Sequence, residues 1–128
     1  MATVELTAEN FADVITGNEI VFVDFWAGWC GPCRRFGPVF EKSSTDHPAV
    51  VFGKVDTEAQ HELAAAFQIQ SIPTLMAFRQ QVILFAQPGA LPSEALESLI
   101  TQVAAVDMDS VRSELAEQAG DTAADIAR

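Results

Sequence analysis

The run IVFVDFW at residues 20–26 constrains this chain more than any other stretch. Seven nearly continuous apolar, β-prone residues describe a strand covered on both faces, because a solvated face would bring a polar residue at every second position. Such a strand belongs in the middle of a sheet with helices on either side. One carboxylate, Asp24, interrupts it, and both cysteines of the chain follow within WAGWCGPC at 26–33. The chemistry of Cys30 and Cys33 is therefore placed just beyond the end of a central strand.

The rest of the chain switches repeatedly between strand and helix periodicity, with no internal repeat and no low-complexity segment. TVEL reads as a short strand. Thr7 can cap a helix over about residues 8–16 that turns Phe11, Val14 and Ile15 to one side, and Gly17 ends it. A second helix is expected from Cys33 to Ser44, kinked at Pro38 where a donor is missing. VVFGKV at 50–55 is a strand, residues 58–68 a helix with Leu63, Ala64 and Phe67 inward, and SIPTLMAFR a strand that begins at a proline. VILFA at 82–86 pairs with it as a hairpin. Ser93 caps an amphipathic helix that reaches Val106 through Leu96, Leu99, Ile100 and Val103. Strands alternating with helices, plus a closing hairpin, predict an α/β fold: a mixed sheet sandwiched between helices.

A chain of 128 residues is ordinary for one domain and buries a sizeable core without staples. Its formal charge of −11 repels phosphate backbones and anionic lipid, which argues against nucleic-acid and membrane-surface roles and leaves proteins as the expected partners. No run reaches the roughly 18 apolar residues of a membrane span, and MATVELTAENFADV carries no secretory signal. The expected location is cytoplasmic. In a reducing compartment, a nearby cysteine pair is more often catalytic or metal-binding than structural. A structural zinc site needs four ligands, whereas only His47 and His61 remain as nitrogen donors, without ligand spacing, so no metal is expected. A static disulfide across two residues closes a tiny loop and gains least from closure. A redox pair fits best.

Cys30 falls at the amino end of the helix that Cys33 enters, where unpaired N–H groups and the helix dipole favour a thiolate. Arg34 and Arg35 suit helix stability poorly there and reinforce that negative charge, or else are solvated arginines on a surface turn. A Cys30 thiolate attacking a disulfide gives a mixed disulfide, and Cys33 lies one turn on, within reach to resolve it. Asp24, with apolar neighbours on both sides, carries a desolvation cost that raises its pKa toward neutrality.

VDFWAGWCGPC resembles the active-site signature of the thioredoxin family over its whole length, and IPT at 72–74 resembles that family's cis-proline loop. Asp24, Pro38, Lys54 and Gly89 fall at matching places, and the resemblance covers about residues 3–106. It departs at RQQV, 79–82, where the family usually has a turn such as Asn-Gly. The resemblance implies a thioredoxin-like fold and a monomeric dithiol–disulfide oxidoreductase. Such a protein reduces protein disulfides, holds no cofactor of its own, and is recycled by an NADPH-dependent thioredoxin reductase. It further implies that Asp24, tuned by Lys54, accepts the proton of Cys33 through water. A cis bond before Pro73 would turn the Ile72 backbone toward the cysteines, and Trp29, Gly31, Pro32, Ile72, Pro73, Gly89 and Ala90 would form an apolar rim for an extended substrate. Competing readings are an interaction module whose thiols are incidental and an oxidant that installs disulfides outside the cytoplasm.

Residues 107–128 have no counterpart in the short family members, so the domain is expected to end at 106. Met108, Val111, Leu115 and Ala119 form a thin stripe that Gly120 should stop, and six acids stand against two arginines. A mobile or loosely helical extension is expected.

Overall fold

The computed structural model describes residues 2–127. In chain order the elements are β1 (Thr3–Glu5), α1 (Phe11–Gly17), β2 (Ile20–Trp26), α2 (Gly31–Asp46), β3 (Val51–Asp56), α3 (His61–Ala66), β4 (Thr74–Arg79), β5 (Val82–Pro88), α4 (Ser93–Ala105) and α5 (Met108–Ala127). The five strands form one sheet in the order β1-β3-β2-β4-β5. As its apolar run predicts, β2 is the central strand, parallel to β3 and antiparallel to β4, and Val21 to Phe25 are sealed from solvent.

Strand alternation divides the core in two. Val21, Val23 and Phe25 point to one face with Leu6, Phe11, Ile15, Met76 and Phe78. Phe22 points to the other, where Phe36 and Phe40 of α2 and Leu96, Ile100 and Val103 of α4 close over the sheet. Asp24 has the parity of Phe22, so its carboxyl lies on the α2 side. Each fully buried phenylalanine contributes about 2–3 kcal/mol from area alone, and Phe52 meets both Phe22 (5.6 Å between centroids) and Phe40 (5.2 Å). Gly53 is required by the first cluster: a Cβ there would stand 2.3 Å from Leu6 Cδ1.

Several helix ends differ from the sequence expectation. α1 begins at Phe11, because residues 8–10 are a turn: the Thr7 hydroxyl accepts from Glu9 N while Asn10 Oδ1 reaches back to Thr7 N at 2.7 Å. α2 begins earlier, at Gly31, and continues through Pro38 to Asp46. α3 is shorter than 58–68, since the Asp56 carboxylate holds Glu58 N in a turn at one end and Gln68 adopts positive φ at the other. Ser93 is the first helical residue of α4, with Pro92 at the cap and no side-chain cap bond. α5 does not stop at Gly120 but runs to Ala127; a helical glycine costs about 1 kcal/mol without forbidding the helix. Its start is fixed by the Asp107 carboxylate, which accepts from Asp109 N and the Ser110 hydroxyl and is held below the usual carboxylate range by those bonds to Ser110 and Asp109. Met108 is buried, whereas Leu115 is 45% exposed, so the helix anchors by its first turn. Among the described residues, no helix is long and apolar enough to cross a membrane.

Candidate active site

β2 delivers the chain through a short loop to Cys30, which is the N-cap of α2. Its backbone is extended (φ −86°, ψ 115°), its carbonyl accepts from Arg34 N, and its sulfur accepts from Cys33 N at 3.2 Å. Gly31 and Pro32 supply the first turn; Pro32 brings no N–H to a position where one would be orphaned. The consequence is a sulfur held at the positive end of a sixteen-residue helix, in line with one of its free donors. Cys30 and Cys33 form a disulfide, their Cα atoms 5.2 Å apart, and both residues are 4% exposed.

Across from the pair, the Ile72–Pro73 bond is cis and the Ile72 carbonyl oxygen lies 3.7 Å from Cys30 Sγ. A groove of about 500 Å³ opens beside the disulfide, bringing together Trp29, Cys30, Gly31, Pro32 and Ile72. Pro73, Gly89 and Ala90 do not line it. Gly89, at φ +112°, instead donates its N–H to Pro73 O at 2.8 Å, which ties the end of β5 to the cis-proline loop.

Sequence reasoning missed the opposite wall, where Thr57, Ile69, Gln70 and Ser71 complete the groove. It also missed Glu58, whose Oε1 accepts from Trp29 Nε1 at 2.6 Å and so orients an indole that is 68% exposed. The only local hint was the polar, turn-forming run DTEAQ, which says nothing about a contact 29 residues back in the chain.

Asp24 is wholly buried, and neither carboxylate oxygen has a hydrogen-bond partner among the described residues. Burial pushes its pKa up to about 7, opposed by the positive charge of Lys54. Lys54 pairs in register with Asp24 across β2 and β3, and its ammonium sits 4.7 Å from the centroid of the Trp26 ring. Beside the cysteines, Arg34 Nη1 donates to Gly28 O at 2.9 Å. Among the described residues no three His, Cys, Asp or Glu side chains gather as a metal site.

A disulfide at a helix start, a carbonyl facing the Cys30 sulfur and an open groove beside the pair are the geometry of a thiol–disulfide oxidoreductase on an α/β fold. The Thioredoxin family profile matches residues 2–102. A Streptomyces coelicolor protein named "Putative thioredoxin 2" is 62% identical over 117 residues, covering 91% of this chain and 87% of that one. Thioredoxin C-3 of Corynebacterium nephridii is 39% identical over 100 residues, covering 77% of this chain and 69% of that one. The solved structure of Plasmodium falciparum thioredoxin superposes with a TM-score of 0.73 at 35% identity, over 78% of this chain and 98% of that one. The chain belongs to the thioredoxin family. It is a dithiol–disulfide oxidoreductase that acts as a protein-disulfide reductase.

Proposed function

We propose that Cys30 is the attacking thiol and Cys33 the resolving one. The Cys30 thiolate attacks one sulfur of a substrate disulfide; that S–S bond breaks, a mixed disulfide forms and the other substrate sulfur leaves as a thiolate. Cys33 then loses its proton and attacks Cys30 Sγ, releasing the second substrate thiolate. Two electrons pass to the substrate, which becomes a dithiol, and the Cys30–Cys33 disulfide remains. The observation that carries this assignment is the Cys33 N–H donated to Cys30 Sγ at the start of α2, which favours charge on Cys30 rather than on Cys33.

Asp24 accepts the Cys33 proton through water, and Lys54 tunes it: a carboxyl titrating near neutrality is matched to a proton transfer at physiological pH. Trp29, Gly31, Pro32 and Ile72 bind an extended substrate segment, with Pro73, Gly89 and Ala90 shaping the far rim of the same surface. The substrates are disulfide-containing proteins, and an NADPH-dependent thioredoxin reductase restores the dithiol. The protein works as a cytoplasmic monomer in which residues 1–106 carry the activity and 107–128 are an extension. Replacing Cys33→Ser tests the roles: it should accumulate a covalent complex with substrate through Cys30, seen by mass, whereas Cys30→Ser should accumulate none. Normal turnover by Cys33→Ser would overturn the assignment.

A further inference from the structure

Side chains are described for six cations. Lys42, Arg79 and Arg112 are ion-paired with Asp46, Glu19 and Asp109, and Lys54 acts on Asp24. Arg34 and Arg35 alone have no acidic partner among the described residues, although the chain carries 18 acids against 7 bases. Both converge on the active-site turn: a Cβ on Gly31 would stand 3.6 Å from Arg35 Nη1 and 4.0 Å from Arg34 Nη2. Two adjacent guanidiniums repel one another and the positive end of α2. Arg34 has only the neutral Gly28 carbonyl to offset this, and Arg35 has no hydrogen bond among the described residues. The groove wall opposite is uncharged, and Glu58, which follows Thr57 of that wall in the chain, is turned to the Trp29 indole.

We propose that Arg34 and Arg35 determine specificity, favouring disulfides with a carboxylate side chain beside the cysteine that Cys30 attacks. The proposal rests on Cys30 being the attacking thiol. A substrate segment seated in the groove passes over Gly31, where its carboxylate supplies the partner both arginines lack. The net charge of −11 repels acidic substrates at long range, but salt screens charge beyond about 8 Å at physiological ionic strength, so the contact charges decide.

The test measures the rate at which the reduced protein reacts with three peptide disulfides that are identical except for Glu, Gln or Lys next to the attacked cysteine. At about 0.15 M salt the Glu peptide should react about three- to tenfold faster than the Lys peptide. The Arg34→Gln/Arg35→Gln double variant should bring that ratio close to one. The ratio separates selection from thiolate stabilisation, because a change in Cys30 reactivity scales all three rates together. Arg35→Gln alone, which removes no hydrogen bond, should give an intermediate ratio and serves if the double variant folds poorly. Equal rates for wild type, or a preference that survives in the double variant, overturn the proposal. Reduction of all three peptides by Cys30→Ser would instead overturn the thiol assignment beneath it.

Discussion

Lys54 stands in register beside Asp24 yet forms no ion pair with it among the described residues; its ammonium covers the Trp26 ring, 4.7 Å from the centroid. The lysine thus lowers the cost of ionising Asp24 through space without bonding its oxygens, which have no partner among the described residues. Burial outweighs that attraction, and the carboxyl is left titrating at about 7 instead of 3.8.

The shift makes stability depend on pH. Between about 3.8 and about 7 the folded state binds a proton at Asp24 that the unfolded chain has released, so stability falls as pH rises through this window and levels off above it. Asp24→Asn, close in shape to the neutral carboxyl, removes the slope. The oxidised variant should match wild type near pH 4 and exceed it near pH 8 by up to about 4 kcal/mol in urea unfolding. Parallel stability curves across that range would contradict the buried-acid account. The same variant should resolve mixed disulfides more slowly.

Much of this was legible in the sequence because it depends on local composition. An apolar run without alternation places β2 at the centre, and one carboxylate inside that run foretells a raised pKa. Cys-Gly-Pro-Cys after the strand marks a helix start. Less legible was which of several neighbouring groups takes a given turn or cap position. Thr7 looked like a cap, but Asn10 folds back onto it and delays α1. The residues after β3 looked helical as far back as 58, yet the Asp56 side chain takes Glu58 N into a turn and frees Glu58 for Trp29. Ser93 has the chemistry of a cap, yet Pro92 occupies that position. Gly120 looked like a stop signal, but a single glycine lowers helix stability without ending a helix.

The β4–β5 hairpin offers a second prediction. Its two-residue loop places Gln80 and Gln81 at φ 50° and 70°, a left-handed pair in which glycine or asparagine is usual. Gln80 is worth keeping: its amide donates to Glu19 Oε1 and its carbonyl oxygen accepts from Arg112. Gln81 has no such bond among the described residues, so Gln81→Gly should raise stability by about 0.5–1 kcal/mol by relieving the strain at positive φ. Thermal unfolding reads this directly, and a lower midpoint would contradict it.

Truncation separates the domain from its extension. Arg79 closes the carboxyl end of α4 by bonding the carbonyls of Val103, Ala104 and Val106, so that cap survives removal of everything after Val106. The cut does remove Met108, which is 4% exposed, and should cost about 1–3 kcal/mol with disulfide reduction intact. A cut after Arg112 retains Met108 and the Arg112–Gln80 contact and should stay near full stability. Loss of turnover toward a small disulfide in either form would make the extension part of the active domain.

The equilibrium reduction potential of the Cys30–Cys33 couple tests the central claim most directly, since it fixes the direction in which electrons flow to substrates. A protein-disulfide reductase should equilibrate near roughly −270 mV, the value general to thioredoxins rather than one deduced from this geometry, and transfer electrons to substrate disulfides. A potential near about −120 mV, as for proteins that install disulfides, would contradict it.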